Sequence, residues 1–291
     1  MTSRSAALGT SHDVALGTAT LRYCEAGPAD GSPVVFVHGL LVNADLWRKV
    51  VPPLAQAGLR CIAVDWPLGS HELPVPDADL SPPGVAALIA EFLAARELHD
   101  VTIVANDTGG AITQILITQH PERIARVVLT PSDCFDKFFP PLFASLPKLA
   151  RVPGATWLLA KSLRLGAVRR LPIAFGWVAK HGIDREAAES YTGPIRRNRE
   201  IRKDVNRFLR GVHKRHTLAA AEALPGFDRP VLLAWASEDR VFPYELGERL
   251  AKTLPNAALV PIADSYTFVP EDQPEELARL VLDFVREHAA A

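Results

Sequence analysis

Apolar residues along this chain fall into short unbroken runs, separated by longer stretches with helical spacing. Residues 34–37, 60–64, 101–105, 126–130, 231–235 and 258–262 are such runs, rich in valine, isoleucine and leucine. Runs this short and this apolar read as strands covered on both faces, as in a parallel sheet. Between them lie helical patterns at 47–57, 84–98, 244–254 and 274–288. The second is the clearest, with Val85, Leu88, Ile89, Phe92 and Leu93 on one face. Residues 18–23 instead alternate polar and apolar, which predicts a half-exposed antiparallel hairpin within 14–25. Residues 1–12 are small and polar and are expected to be loose. Residues 137–217 contain no strand pattern, only short apolar helices broken by proline and glycine. The expected architecture is therefore α/β: a mostly parallel sheet with helices on both faces. The core comprises residues 1–136 and 218–291, with 137–217 an inserted helical cap, and ligands belong at the carboxyl ends of the strands.

One junction organises the rest. Val101-Thr-Ile-Val-Ala-Asn-Asp-Thr-Gly-Gly110 runs from a buried strand into an apolar helix through a corner of small residues around Asp107. A strand–turn–helix elbow pushes its central side chain out of the sheet edge. A carboxylate there can attack carbon and form an ester. Asp also commonly caps helices, so the same residue has a purely structural reading.

Composition narrows the field. The 291 residues are 48% hydrophobic and 22% charged, with a net charge of −1. Balanced charge gives no reason to expect a nucleic-acid or membrane partner. Cys24, Cys61 and Cys134 are far apart and match no metal-ligand spacing. There is no N-terminal apolar signal, and no run reaches the ~18 apolar residues that a membrane span needs. The expected address is the cytoplasm. No glycine-rich phosphate loop or metal cluster is present, so no cofactor is implied; the expected partner is a small molecule, with a homodimer left open.

With His38-Gly39 after an early strand, the Asp107 elbow, Ala236-Ser-Glu-Asp239-Arg240 after a late strand and Pro270-Glu-Asp-Gln-Pro-Glu275 near the end, the chain resembles the α/β-hydrolase superfamily. Within it the likeness is to the haloalkane dehalogenases and epoxide hydrolases that use aspartate as nucleophile, and it covers roughly residues 18–286. The resemblance implies Asp107 as nucleophile, Asp239 as the acid that orients a catalytic histidine, and the backbone N–H groups of Leu40 and Thr108 as oxyanion donors. His38 is expected to brace its loop, with Gly39 allowing close backbone approach.

The chain also departs from that pattern. Aligned on Phe268, the catalytic histidine position is Thr267, whose hydroxyl is no base near neutral pH. An aspartyl ester would form and then stall. His71 is the leading substitute base, ahead of His181, His213 and His216. Asp107 could instead act as a base in elimination or isomerisation, or the chain could bind a ligand without turnover. Family details are thinned as well. Thr108 and Leu40 stand where dehalogenases carry the Trp and Asn that hold halide, the Arg that fluoroacetate dehalogenases place after the nucleophile is absent, and Leu41 replaces the proline of epoxide hydrolases. Tyr191 is the only tyrosine of the cap available as a ring-opening acid. The cap's aromatics and the leucines from Leu158 to Leu165 are expected to line an apolar pocket. Arg169, Arg170, Arg196, Arg197, Arg199 and Arg202 are expected mainly to form a solvated face.

Overall fold

The computed structural model describes residues 4–289. Eight strands form a single sheet: β1 (Thr10–Ala15), β2 (Thr20–Ala26), β3 (Pro33–Val37), β4 (Arg60–Val64), β5 (Val101–Asp107), β6 (Ile124–Ser132), β7 (Val231–Ala236) and β8 (Ala257–Ile262). Their spatial order is β1-β2-β4-β3-β5-β6-β7-β8. The strands β1 and β2 pair antiparallel, and β2 also runs antiparallel to β4. All later neighbours are parallel. Val34, Val35, Phe36 and Val37 are all fully buried. Successive residues point to opposite faces, so both sides of β3 are covered, as its apolar run requires.

The helices are α1 (Val51–Gln56), α2 (Pro82–Ala95), α3 (Thr108–Gln119), α4 (Leu146–Leu149), α5 (Ala155–Ser162), α6 (Gly166–Arg169), α7 (Arg185–Arg197), α8 (Arg199–Gly211), α9 (Lys214–Ala223), α10 (Tyr244–Thr253), α11 (Val269–Asp272) and α12 (Pro274–Glu287). Helix α3 packs beside α2 and α9, while α1 packs beside α12. The segment from α4 to α9 is inserted between β6 and β7. The expected helix at 47–57 is split into a 3-10 turn (Ala44–Trp47) and α1, because Pro52 and Pro53 suit only a helix's first turn.

The site's position follows from strand order. After β3 the chain crosses to one neighbour, β4, and later returns to the other side as β5. The loops leaving β3 and β5 therefore diverge at the sheet's switch point, where an open α/β sheet leaves a crevice. His38–Leu41 and Asp107 are the residues at that point.

The N-terminal expectation needs correction. Residues 6–8 form a 3-10 turn and β1 begins at Thr10, so residues 4–12 are not loose; residues 1–3 lie outside the described residues. Arg4 is buried and ion-paired with Asp65 at 2.7 Å, and it also reaches the Ser70 carbonyl and the Ser190 hydroxyl. A polar sequence concealed this anchor, because its partners lie 61 to 186 residues away. Removing one partner of a buried pair strands the other charge, so Arg4→Ala is expected to lower the unfolding free energy by about 3–5 kcal/mol. Urea unfolding with an unchanged m-value measures this.

Candidate active site

Asp107 ends β5 with φ 55° and ψ −131°, a conformation that non-glycine residues rarely adopt. Three glycines permit the turn. A Cβ on Gly39 would collide with the Asp107 carboxyl, one on Gly109 with the carbonyls of Val37 and His38, and one on Gly110 with the Ser132 side chain. The Asp107 side chain makes no helix-capping bond to α3. Its Oδ2 instead accepts from the Leu40 N–H across the crevice at 3.1 Å, and its carboxyl also accepts from the N–H of Thr108. The two amides that the sequence singled out thus converge on one carboxyl. Burial pushes Asp107 up to about 6, against the pull of those same amides.

Asp239, beyond β7, has its Oδ1 bound by the N–H groups of Val241 and Phe242, both at 2.7 Å. These bonds close its own turn rather than cap α10, whose N-cap is Pro243. The Thr267 hydroxyl donates to the same oxygen at 3.2 Å, so Thr267 faces this acid. Oδ2 of Asp239 is buried and accepts no bond among the described residues. Burial, reinforced by the negative charge of Asp107, pushes Asp239 up to about 7.

Two functional candidates escaped the sequence reading. Asp133, just past β6, is fully buried, and its Oδ2 accepts from the Thr108 hydroxyl at 3.2 Å. Burial and the neighbouring Asp107 hold it well above the ordinary carboxylate range. Asn106 donates through Nδ2 to the Thr267 carbonyl at 2.6 Å and to Thr130 at 2.7 Å, tying the elbow to the Thr267 loop. A signal existed for Asp133: acids also follow β4 (Asp65), end β5 (Asp107) and follow β7 (Asp239) at the same sheet edge.

The remaining candidates lie elsewhere in the hydrogen-bond network. His38 Nδ1 donates to the Gly39 carbonyl and Nε2 accepts from the Trp66 N–H, which fixes its tautomer. Burial drives its pKa down to about 4, so it is a neutral brace. His71 pairs through Nε2 with Asp204 of α8 at 3.2 Å and accepts at Nδ1 from Gly69; no bond joins it to Asp107 among the described residues. His181 bonds Asp264, His213 caps α9, and His216 meets Arg215. Tyr191 is fully buried and donates its proton to Glu271 at 2.6 Å. Arg196 pairs with Glu189 and Arg202 bonds the Ile195 carbonyl.

The leucine expectation is overturned. Trp157, Leu158 and Leu165 face solvent, and in this stretch it is Ala160 and Leu163 that are buried. A cleft of about 790 Å³ lies at the junction of insertion and core, bounded by Lys49, Arg169, Arg170, Phe175, Lys180 and Glu271 among others. Asp107 does not line it. Phe175 meets Phe268 in a tilted contact, with ring centroids 6.3 Å apart, so this cleft backs onto the residue after Thr267.

A crossover sheet, a strained Asp elbow and two convergent amides can be compared with known proteins. Residues 32–274 match the family model described as alpha/beta hydrolase fold. The chain belongs to that family. This alpha/beta hydrolase is 28% identical over 255 residues to the uncharacterized hydrolase YugF of Bacillus subtilis, covering 87% of this chain and 89% of YugF. It is 24% identical over 281 residues to a haloalkane dehalogenase of Mesorhizobium japonicum, covering 92% and 88%. Among solved structures, haloalkane dehalogenase DatA from Agrobacterium tumefaciens superposes with TM-score 0.80 at 23% identity, covering 98% of this chain and all of DatA. Haloalkane dehalogenase DbeA from Bradyrhizobium elkani gives 0.79 at 22%, covering 96% and 98%. The alpha/beta hydrolase fold is thus shared along nearly the whole chain.

Asp239 carries a stability consequence. Its folded pKa lies above the unfolded value near 3.9, so the native state holds the extra proton and stability falls as pH rises from about 4 to about 7. Asp239→Asn is expected to match the parent at pH 4 and to exceed its unfolding free energy at pH 8 by on the order of 4 kcal/mol. Urea melts of both proteins at the two pH values check this.

Proposed function

We propose that this relative of haloalkane dehalogenases is a hydrolase acting on a small, largely apolar molecule with one electrophilic carbon. The observation that carries this reading is the Asp107 carboxyl, projected at a strained φ and held from across the crevice by the Leu40 N–H. With Oδ2 held there, the other oxygen is the attacking atom. Its lone pair forms the new C–O bond as the leaving group departs with the old bonding pair, or as an epoxide ring opens. The carboxyl becomes an ester, and its carbonyl oxygen stays beside the Leu40 and Thr108 amides. Those amides stabilise the oxyanion that forms when water later attacks the ester carbon.

That second half needs a base. In this reading Thr267 supplies none and holds Asp239 in place, while His71 braces the β4 loop against α8. Ester breakdown is then slow, and the ester is the species that accumulates. The inserted helices act as the cap. A second reading has Asp107 as general base in an elimination or isomerisation, favoured by its pKa of about 6, close to the optimum for proton transfer at neutral pH.

Incubation with a panel of alkyl halides, epoxides and activated esters is expected to add the alkyl or acyl mass to Asp107, and to add nothing to Asp107→Asn. Only the ionised carboxyl attacks, so the labelling rate rises with pH to a plateau, with a midpoint near 6. Intact-mass spectrometry with peptide mapping decides. Turnover of a panel compound without any adduct, with pH dependence unchanged, favours the second reading.

A histidine restored beside Asp239 is expected to release the trapped ester. In Thr267→His, adduct decay should accelerate ~10²-fold or more, within the range a general base contributes, while adduct formation persists. Decay followed by mass spectrometry after removal of excess reagent measures it. Unchanged decay alongside unchanged formation rejects Thr267 as the missing base position.

A further inference from the structure

The net charge of −1 averages over a marked asymmetry. Residues 137–183 contain eight lysines and arginines and not one aspartate or glutamate. Six of those cations, Lys148, Arg151, Lys161, Arg164, Arg169 and Arg170, have no carboxylate partner among the described residues. The exposed large apolar side chains fall in the same stretch. Among the described residues they are Val152, Trp157, Leu158, Leu165, Leu171 and Ile173, with Leu158 at 65% and Leu165 at 62% exposure.

Local structure explains why they face outward. Thr156, Ala160 and Leu163 recur at helical spacing and are buried, and α5 packs with that stripe on α7 and α8. Trp157, Leu158 and Lys161 fall on the opposite side of the helix. The Lys161 ammonium lies over the Trp157 ring at 4.7 Å, so charge rides on the rim of the apolar surface. Arg169 and Arg170 continue the face to the cleft beside Phe175.

We infer that this face of the inserted segment docks on the surface of a bilayer containing anionic phospholipid. Tryptophan and leucine side chains interleaved with unpaired lysine and arginine match the chemistry of an interfacial anchor: apolar groups enter the headgroup boundary and cations meet phosphates. A second copy of this chain is a poorer occupant, because a two-fold contact would set this patch against itself, six unpaired cations facing six. An acidic protein surface is also poorer. The apolar side chains sit on α5, on the turn at 163–165 and on 171–173, scattered rather than lining a groove, and a fluid surface accepts any such spacing. No helix among the described residues is long and apolar enough to cross a membrane, so the contact is peripheral.

Flotation of the full chain with vesicles tests this, comparing phosphatidylcholine alone with an equimolar mixture with phosphatidylglycerol. Binding to the mixture is expected to be ~10-fold or more stronger than to phosphatidylcholine, and to fall steeply in 0.5 M NaCl. The exposed double variant Leu158→Glu/Leu165→Glu should lose ~10-fold or more of that binding, with its circular-dichroism melt unchanged. So should Arg169→Glu/Arg170→Glu. Equal binding to both vesicles, binding indifferent to salt, or variants that float like the parent would each overturn the inference. So would a parent that fails to float but self-associates in size-exclusion chromatography, with Leu158→Glu/Leu165→Glu running as monomer.

Discussion

The site depends on how closely a strand and a helix approach one another at Asp107. The backbone reverses there through a positive φ that costs on the order of 1–3 kcal/mol, and the surrounding sheet must hold it in place. Gly109 and Gly110 let the first turn of α3 rest against the ends of β3 and β6, and Gly39 lets the neighbouring loop pass the carboxyl. The same close approach brings the Leu40 N–H within hydrogen-bond reach of Asp107. Strain, glycine placement and the polarisation of one carboxyl are therefore a single constraint.

Electrostatically, this is a site of acids to which no cation among the described residues is paired. Asp107, Asp133 and Asp239 are held up by burial, and the charge of Asp107 raises the other two further. What opposes that rise is a small set of oriented N–H and O–H groups: the amides at Leu40, Thr108, Val241 and Phe242, and the hydroxyls of Thr108 and Thr267. Fixed dipoles of this kind moderate a carboxylate without neutralising it. The resulting values, near neutrality for Asp107 and Asp239, are where a carboxyl can serve as either an attacking or a proton-accepting group.

Much of the architecture was legible because parallel strands covered on both faces leave a distinctive apolar run, and because Asp107 follows one of them. Strands β4, β7 and β8 lie within a residue of the expected limits at each end. The contacts that sequence could not supply are those made at long range by ordinary-looking residues. Arg4 sits in a polar leader, yet finds Asp65 and Ser190. Asp133 lies between the strand run at 126–130 and the inserted segment, and only the sheet brings it beside Asp107. Leu158 and Leu165 show why: hydrophobicity reports a preference for burial, but which side of a short helix is covered depends on neighbours that the periodicity of eight residues cannot specify.

One cross-link constrains how the molecule opens. Arg48, soon after β3, bonds Glu271 of α11 and Asp184 at the start of α7, with Tyr191 closing the group. Nearby, the Asp272 carboxylate accepts from the N–H groups of Lys180, His181 and Tyr266, and the Val178 carbonyl from Phe268. The middle of the inserted segment is stitched to the loop that carries Thr267, so lifting α7 would break these contacts together. The stretch ahead of that seam, residues 138–177, forms no ion pair with a carboxylate among the described residues.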